Sequence, residues 1–408
     1  MTPTTPASVV VVGHGRPAAL ARCLTALRLQ DHPVTELVVV TCAAGAAVVA
    51  TLGLDGRAKV LNHPPGNRAL ARNLGLQAAA GEVVAFTTDD AVAEPPWLGR
   101  LVATFADPQV EAAVGGVRDA DGSLPAPGAD WVDATGRIRP LAIEGTEPSL
   151  HMGAPGSAVH LPGAAMAFRR ETLAAMGGFD PAFRLAMGTR DLALRLAAQQ
   201  MVTAIVPLAQ VQRSAAGAPE PGATLRADLP ERGAALALFL RKHAPRIDPA
   251  PSEAALRAAQ RPRLLRAMVD GTIMPADVDR LLERLAAGLS EGRAREIAPL
   301  LPIGPPADPF LPLPGTGPRP ARVVAGWGWQ SRRLARQARA FAAEGAVVTL
   351  LHLRPGFAAH RTAFAEAGHW THSGGLWGRG PGRGRPRARL RATLTALAPI
   401  RPVDTLLD

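Results

Sequence analysis

Two adjacent acidic residues, Asp89 and Asp90, are the residues of this 408-residue sequence that are best suited to chemistry. They follow an apolar run at 82–87 that predicts a buried strand, so we expect their carboxylates to project from the end of that strand into a cleft. Hard divalent cations prefer such oxygen ligands, and they keep coordination positions open for diphosphate oxygens. A turn, or a helix N-cap that uses Asp90 ahead of Trp97, is the structural alternative, and this motif alone does not decide between the two.

A regular alternation of strands and helices is predicted over the first two hundred residues, and it must position the two acids. Short apolar runs predict buried strands at 8–12, 36–41, 58–61 and 82–87, and apolar residues at helical spacing predict helices at 18–30 and 69–80. Such alternation indicates a mostly parallel sheet that helices cover on both faces. Ligands bind at the carboxyl ends of the strands in such sheets, so the segments directly after each strand are the candidates for a binding site. These segments are 13–16, 41–42, 62–68 and 87–90.

Five sequence blocks, in this order, resemble family 2 glycosyltransferases of the GT-A fold. They are S-V-V-V-V-G-H-G-R-P at 8–17, G-N-R-A-L-A-R-N-L-G-L at 66–76, V-V-A-F-T-T-D-D-A-V-A-E-P-P-W-L at 83–98, L-P-G-A-A-M-A-F-R-R-E-T-L-A-A-M-G-G-F-D-P-A-F at 161–183, and R-D-L-A-L-R-L at 190–196. The resemblance implies an α/β GT-A (nucleotide-diphospho-sugar transferase) fold. It also implies a nucleotide-sugar donor, Mn²⁺ or Mg²⁺ as the cofactor, and direct displacement with inversion at the anomeric carbon.

The resemblance also assigns residues to the donor site. Asp90 matches the metal-binding Asp of the family motif, where a metal would offset the charge that grows on the leaving nucleoside diphosphate. Arg72 is expected to face phosphate, with a solvated helix face as the alternative. Gly163 and Ala164 match a turn whose backbone approaches the donor sugar. The full set of implied donor-binding residues is Gly13, His14, Arg16, Thr41, Arg72, Asn73, Asp89, Gly163 and Ala164.

Several positions depart from the family pattern. They are Thr41 and Cys42 in place of acids that contact the base, Thr88 in place of the first Asp of the metal motif, Gly188 and Thr189 in place of a Glu-Asp pair that supplies the general base, and Arg213 in place of a late His. Neither Gly188 nor Thr189 accepts a proton at neutral pH as a carboxylate would. The candidates for the catalytic base are therefore Asp191 and Asp180, and the alternative role of Asp191 is a helix N-cap or a structural anchor. The alternative is a non-catalytic, glycosyltransferase-like binding or scaffold protein that has lost its general base.

Composition shifts along the chain predict four regions. They are a GT-A glycosyltransferase-like domain at 1–215, a helical extension at 216–299, a Pro/Gly-rich linker at 300–320, and a small α/β Rossmann-like appendix at 321–408. The first boundary is a Gly/Pro/Ala-rich stretch at 215–221, and helices are predicted at 225–243, 254–268 and 277–289. The appendix begins like a nucleotide-binding half, but Ser331 stands where a third glycine would, and no acid ends its second strand.

Charge is concentrated in basic residues. The sequence has 45 Lys and Arg against 34 Asp and Glu, for a formal net charge of +11. The arginines of 374–391 predict a flexible basic loop, and the sharper interpretation is an anionic partner such as a polysaccharide, a lipid head group or a nucleic acid. If that module carried the function, truncation after Pro320 would abolish it. Nucleic acid is not expected as the main target, because the loop has no aromatic stacking platform and no groove-reading motif.

Apolar runs, cysteine content and the first residues of the sequence indicate where in the cell the protein is expected. No apolar run reaches the roughly 18 residues that a membrane span requires, and two cysteines are too few for a disulfide framework. The first residues lack a basic start and an apolar core, so we expect no cleaved signal peptide. The expected location is the cytoplasm, with peripheral association at the inner face of the membrane as a further expectation. The expected partners are the nucleotide-sugar donor and an acceptor that is a glycan, a lipid-linked sugar or a small molecule.

Overall fold

The computed structural model describes residues 5–119, 129–214, 221–381 and 386–403. The predicted break at 215–220, and Arg383 and Arg385 of the predicted basic loop, lie outside these residues. None of the described helices is both long enough and apolar enough to cross a membrane.

The described N-terminal domain is a mixed α/β unit. Its strands are β1 (Ala7–Val12), β2 (Thr35–Thr41), β3 (Lys59–Asn62), β4 (Val83–Thr88), β5 (Ala91–Ala93), β6 (Val110–Arg118), β7 (Ala129–Asp133), β8 (Ile138–Leu141), β9 (Ser149–Met152), β10 (Ser157–Val159), β11 (Met166–Arg169) and β12 (Val202–Arg213). Its helices are α1 (Pro17–Leu27), α2 (Ala43–Thr51), α3 (Arg68–Ala78), α4 (Trp97–Ala103), α5 (Arg170–Ala175) and α6 (Gly188–Ala198), with a 3-10 turn at Thr104–Ala106.

The large sheet of this domain has the strand order β3-β2-β1-β4-β11-β6-β12-β5, and β9 pairs with β12 in addition. Strands β3, β2, β1 and β4 are parallel to their neighbours, whereas β11 is antiparallel to both β4 and β6. The predicted α/β GT-A fold with a mainly parallel central sheet is therefore confirmed. Strands β7, β8 and β10 form a separate small sheet.

Alternation along β1 explains how the sheet is covered on both faces. Successive side chains of a strand point to opposite faces. Val9 and Val11 belong to a core cluster that includes Leu20 of α1 and Trp97 of α4. On the opposite face lies a second core cluster, with these buried members from β1, α3, β11, α6 and the extension: Val10, Val12, Leu76, Phe168, Leu192 and Phe239.

Three helices form the extension: α7 (Pro221–His243), α8 (Ala250–Val269) and α9 (Pro275–Ala294). The next segment, 300–320, was expected to be a semi-rigid linker, and it lies along the N-terminal domain. Leu313 is buried in the first core cluster, and its N–H donates to the carbonyl of Thr35 at 2.7 Å. The N–H of Leu311 donates to the Glu36 carboxylate at 2.8 Å. These bonds tie the segment to the start of β2.

The C-terminal region contains a four-stranded sheet in the order β13-β14-β16-β15. Its elements are β13 (Ala321–Trp327), a 3-10 turn (Gly328–Gln330), α10 (Ser331–Ala343), β14 (Val347–Arg354), β15 (Arg361–Phe364), β16 (Trp370–Gly375) and α11 (Pro386–Leu397). Arg389 lies in α11, is buried, and donates to the carbonyl of Gly378 at 2.9 Å. The expectation of a flexible loop throughout 374–391 is thus corrected for Arg389, because helix formation and these carbonyl contacts order it.

This C-terminal unit packs on β5, the edge strand of the large sheet. Val92 of β5 contacts Phe364 and Trp370 in one apolar cluster. The buried carboxylate of Glu94 pairs with Arg401 at 2.6 Å and also with Arg118. Because β5 begins directly after Asp90, the C-terminal unit is anchored next to the two acids.

Candidate functional site

The site lies where two neighbouring parallel strands end. Strands β1 and β4 are parallel, and Val12 is in register with Thr88. The segment after β1 contains His14 and Arg16, and the segment after β4 is Asp89-Asp90. Because parallel neighbours end at the same edge of a sheet, the two segments contact each other. The sequence predicted this juxtaposition.

Asp89 is enclosed by the segment that follows β1. The N–H of His14 donates to Oδ2 of Asp89 at 2.6 Å, and Nη2 of Arg16 donates to Oδ1 at 2.6 Å. The Asp89 side chain has no exposed surface. Both of its oxygens therefore have donors from the neighbouring loop.

Asp90 lies nearer the surface and shares Arg16 with Asp89. Its Oδ2 accepts from Nη1 of Arg16 at 3.1 Å and from Nη1 of Arg213 at 3.2 Å. Its Oδ1 accepts from the hydroxyl of Thr88 at 2.6 Å. One guanidinium group thus bridges both carboxylates, and a second one contacts the outer acid.

The two acids differ in protonation behaviour because their surroundings differ. Burial raises the pKa of Asp89, although the His14 N–H and Arg16 oppose this change. Burial also disfavours the charge on Asp90, but the Thr88 hydroxyl and the nearby guanidinium groups outweigh it and hold the pKa of Asp90 below its ordinary value. Burial and the neighbouring arginines lower the pKa of His14 well below its ordinary value, so this imidazole is neutral at pH 7.

Helix α3 adds two further cations. Asn67 caps the helix by accepting from the N–H of Leu70 at 2.9 Å, and Arg68 and Arg72 lie one turn apart on the same face. Burial, and then the Arg68 charge, lower the pKa of Arg72 to about 9. Nη2 of Arg72 donates to the carbonyl of Gly163 at 3.3 Å, while its Nε has no partner within the described part of the chain.

The carboxylates fit a divalent cation that is shared with a substrate. Mg²⁺ is commonly held by one or two carboxylates together with phosphate oxygens and water. Asp89 and Asp90 supply carboxylates of this kind. Within residues 5–119, 129–214, 221–381 and 386–403, no group of three or more His, Cys, Asp or Glu side chains could enclose a metal. A cation at Asp90 would compete with Arg16 and Arg213 for Oδ2.

Some residues that the resemblance assigned to the donor site have structural partners. The Thr41 side chain is buried against Gly13 and Gly45, where any added Cβ would contact its hydroxyl. The amide of Asn73 donates to the carbonyl of Phe179 at 2.7 Å and accepts from its N–H at 2.8 Å. The Thr41 side chain thus packs against two glycines, and the Asn73 side chain bonds with the backbone.

The turn at Gly163 and Ala164 lies beside Arg72. A Cβ at Gly163 would lie 2.6 Å from Nη2 of Arg72 and 3.6 Å from the Thr189 methyl group, so the glycine allows a close approach of the guanidinium. Ala164 is buried in the first core cluster. Thr189 therefore lies beside this turn.

Asp191 and Asp180 belong to a different cluster. Asp191 is fully buried and accepts from Arg195 at 2.9 Å and from His243 at 2.9 Å. Lys242 lies 2.7 Å from Asp191 and 2.8 Å from Asp180. Burial opposes the charge on Asp191, but the His243 hydrogen bond and the charges of Arg195 and Lys242 outweigh it and hold the pKa well below its ordinary value. None of the contacts described for either carboxylate involves Asp89 or Asp90.

Sequence analysis placed Arg68 and Thr88 in the candidate segments 62–68 and 87–90 but gave neither residue a role in donor binding. Arg213 was noted only as a departure from the family pattern, yet Thr88 and Arg213 both contact Asp90. Arg68 could have been found from its spacing, because it lies four residues before Arg72 at the start of a helix that follows a strand.

Comparisons with known proteins bear on this site. Residues 8–151 match the family model described as "Glycosyl transferase family 2". No curated protein matches the chain.

The solved structures that are similar to this chain include the following three. PcManGT, a mannosyltransferase from Pyrobaculum calidifontis in complex with GDP-Man and Mn²⁺, is 18% identical over 71% of this chain and 87% of its own, with a TM-score of 0.44. GalNAc-T7 with UDP, GalNAc and Mn²⁺ is 17% identical over 57% of this chain and 50% of its own, with a TM-score of 0.42. S. aureus TarS 1-349 is 16% identical over 71% of this chain and 89% of its own, with a TM-score of 0.39.

Proposed function

We propose that this chain, whose residues 8–151 match the family model described as "Glycosyl transferase family 2", transfers a sugar from a nucleotide-sugar donor to a hydroxyl acceptor, with inversion at the anomeric carbon. The proposed acceptor is a glycan, a lipid-linked sugar or a small molecule, and with either of the first two the reaction contributes to polysaccharide synthesis. The proposed setting is the cytoplasm, at the inner face of the membrane.

One observation carries this proposal. Asp89 and Asp90 follow β4 at the carboxyl edge of the sheet, and the guanidinium of Arg16 bridges them at 2.6 and 3.1 Å. A diphosphate presents the same oxygen ligands and the same negative charge as these carboxylates. A donor diphosphate at this edge would therefore find Arg16, Arg68, Arg72 and Arg213 around it.

The arginines support departure of the leaving group. The acceptor oxygen forms a bond to the anomeric carbon, the bond from that carbon to the phosphate oxygen breaks, and its electron pair leaves with the nucleoside diphosphate. Arg16 and Arg72 offset the charge that grows on the diphosphate, because fixed cations in a partly buried site stabilise charge more than they would in water. Gly163, which allows Arg72 to approach, helps to position that guanidinium.

A divalent cation is the proposed cofactor. Asp90 would hold Mn²⁺ or Mg²⁺ together with donor phosphate oxygens, since its side chain is partly exposed whereas that of Asp89 is not. When bound, the ion supplies Lewis-acid stabilisation of the leaving diphosphate. Arg213 would then pair with phosphate instead of Asp90.

We propose that Asp191 and Asp180 are structural and are not the general base. A carboxylate that Arg195, Lys242 and a hydrogen bond from His243 hold ionised has little affinity for a proton, and Asp191 is fully buried. Gly188 and Thr189 provide no carboxylate in its place. The acceptor proton therefore passes to solvent, and the reaction loses the roughly 10²–10⁴-fold that a general base contributes.

Release of nucleoside diphosphate from a panel of donors tests this function. The wild-type protein is incubated with UDP-glucose, UDP-GlcNAc, GDP-mannose and dTDP-glucose, with Mn²⁺ or with a chelator, and the released nucleotide is measured by chromatography. We expect slow release from one donor that depends on Mn²⁺ and is at least tenfold lower in Asp90→Asn.

The same assay decides against the binding or scaffold alternative. Asp55→Asn is the matched control, because it makes the same chemical change in an exposed turn. Turnover in this control and its loss in Asp90→Asn support a transferase. Nucleotide binding without release from any donor, by folded protein, would overturn catalysis and leave the scaffold alternative, which the missing carboxylates at Gly188 and Thr189 favour.

A further inference from the structure

Four aromatic side chains lie at one edge of the C-terminal sheet. Strands β13, β14 and β16 run parallel, so their carboxyl ends lie together. Trp327 ends β13 and Trp329 follows it, Phe357 follows β14, and Trp377 follows β16. We call these four residues the aromatic edge. Open α/β sheets bind their ligands at the carboxyl ends of the strands.

The four rings form two pairs, and three of the rings face solvent. Trp327 and Trp329 stack, with ring centroids 5.7 Å apart and planes inclined by 20°. Phe357 and Trp377 lie with centroids 5.8 Å apart and planes inclined by 38°. Trp329, Phe357 and Trp377 are 71%, 81% and 63% exposed. Clustered large apolar side chains with this exposure mark a binding surface.

Arg354 joins the two pairs. A Cβ at Gly328 would lie 2.5 Å from Cγ of Arg354, so the stem of this arginine runs against the backbone between Trp327 and Trp329. Its carbonyl accepts from the N–H of Leu376 at 2.9 Å, directly before Trp377. Within the part of the chain that the structure describes, the Arg354 guanidinium makes no hydrogen bond or ion pair with protein. A guanidinium without a hydrogen bond or ion pair to the described residues therefore lies beside the segment that carries Trp327 and Trp329.

The charge around the aromatic edge selects an anionic ligand. Residues 321–408 contain fourteen arginines and four acidic residues, while the whole chain has a formal net charge of +11. Most of the net positive charge of the protein thus resides in the C-terminal region. The acidic residues, which are Glu344, Glu366, Asp404 and Asp408, lie outside the sequence segments that carry the aromatic edge. The positive potential of these arginines attracts polyanions, and their guanidinium groups pair with carboxylate, sulfate or phosphate groups.

We propose that the aromatic edge binds an acidic glycan, whose sugar rings stack on Trp329, Phe357 and Trp377 while its anionic groups pair with Arg354. The C–H face of a sugar ring is apolar and weakly positive, so it complements the negative face of an aromatic ring. This inference rests on the proposed function, because it takes the glycan to be the acceptor or the product of the transfer. The absence of an aromatic platform in 374–391, on which nucleic acid was discounted, is corrected here, because Trp377 of that segment pairs with Phe357. Single-stranded nucleic acid also stacks on aromatic platforms, so the test must separate it from an acidic glycan.

Binding to full-length protein without donor tests the proposal. Hexagalacturonate and a heparin-derived hexasaccharide are the acidic probes, maltohexaose is the neutral probe, and oligothymidylate is the nucleic acid probe. Binding is followed by tryptophan fluorescence and calorimetry. We expect an acidic probe to bind more tightly than maltohexaose. Trp329→Ala, Trp377→Ala and Arg354→Gln should each raise its Kd about tenfold, the loss expected for one stacking or charge contact.

Control variants separate this site from the donor site. Arg322→Gln changes an exposed arginine at the opposite end of β13 and should leave the Kd unchanged. Asp90→Asn should bind the glycan as the wild type does, even if it loses nucleotide, so failure of the donor site would leave this result intact. The proposal is overturned if neither acidic probe binds, if the three variants bind like the wild type, or if oligothymidylate binds more tightly through the same residues.

Discussion

Arg16 sets the electrostatic state of the two acids at the end of β4. Its guanidinium contacts Oδ1 of Asp89 and Oδ2 of Asp90, so one cation compensates two carboxylates in a partly buried place. The rigid fork of an arginine suits such bidentate contacts, which a lysine would not reproduce. A donor diphosphate offers Arg16 equivalent oxygens, and we infer that this residue exchanges carboxylate for phosphate contacts when the donor binds.

A measurement of stability distinguishes a structural role of Asp191 from a catalytic one. Its pKa is depressed by His243, Arg195 and Lys242 despite burial. A carboxyl group with a depressed pKa stabilises the fold above its unfolded pKa of about 4, and this contribution is lost as the pH falls below that value. Asp191→Asn should therefore lower the free energy of unfolding by about 3 kcal/mol near neutral pH. The difference from wild type should shrink toward about pH 3.

Urea denaturation across that pH range measures the effect, with Asp55→Asn as the control that should match wild type. Turnover per folded molecule should be unchanged in Asp191→Asn. A variant with wild-type stability but no turnover would show instead that Asp191 is the base.

The contacts of a side chain can be predicted from the sequence when its partners are close in sequence or follow a neighbouring parallel strand. His14, Arg16, Asp89 and Asp90 follow two adjacent parallel strands, so their meeting could be anticipated. The structural role of Asn73 could not be anticipated. Its amide bonds with the backbone of Phe179, which is remote in sequence.

Helices α7 and α9 illustrate packing at the scale of elements. They meet at Gly233, Gly288 and Gly292, where an added Cβ would touch backbone atoms of the facing helix. At Gly288 the atom met is the carbonyl oxygen of Pro230, and at Gly292 it is that of Ala234. The absence of side chains at these three positions allows the two backbones to approach.

Gly288→Ala should therefore destabilise the protein, although alanine is the better helix former. The propensity gain is about 1 kcal/mol, and overpacking against a backbone carbonyl costs about 1–3 kcal/mol. We expect a net loss of about 1 kcal/mol and a lower Tm. Gly304→Ala is the matched control, because a Cβ there meets nothing. An increase in Tm for Gly288→Ala would contradict close backbone packing.

Helices and strands were predicted correctly where apolar residues recur with a clear period. They were missed where apolar residues occur at nearly every position. The predicted helix at 69–80 corresponds to α3 (Arg68–Ala78), and the predicted strand at 82–87 corresponds to β4 (Val83–Thr88). Helix α2 was missed because its alanines, glycine and valines place apolar side chains all round it. Hydrogen bonds to Glu36 and Thr35 hold the segment 300–320 against the N-terminal domain. No local sequence pattern predicts these long-range bonds.

At the scale of the whole molecule, one buried carboxylate joins the two α/β units. Glu94 follows β5 of the large sheet, and Arg401 comes from the end of the C-terminal unit. The Arg401 guanidinium also lies 4.0 Å from the centre of the Trp370 ring. Docking of the C-terminal unit therefore supports the strand that begins directly after Asp90.

Arg401→Ala should loosen this docking. Removing one partner of a buried ion pair costs about 3 kcal/mol, and Arg118 remains to compensate part of the Glu94 charge. We expect faster amide exchange in β5, β15 and β16 and a lower Tm. Arg391→Ala, a change of an exposed arginine in α11, should leave both unchanged. Unaltered protection in β5 of Arg401→Ala would contradict a coupled interface.

Calorimetric titration of nucleotides is the most direct test of the donor site. UDP, GDP, dTDP and CDP are titrated with and without Mn²⁺ into wild type, Asp90→Asn and the Asp55→Asn control. We expect one nucleotide to bind wild type and control in the presence of Mn²⁺, with affinity at least tenfold weaker in Asp90→Asn. Equal binding by all three proteins, or no binding of any nucleotide to folded wild type, would contradict a donor site at Asp89 and Asp90.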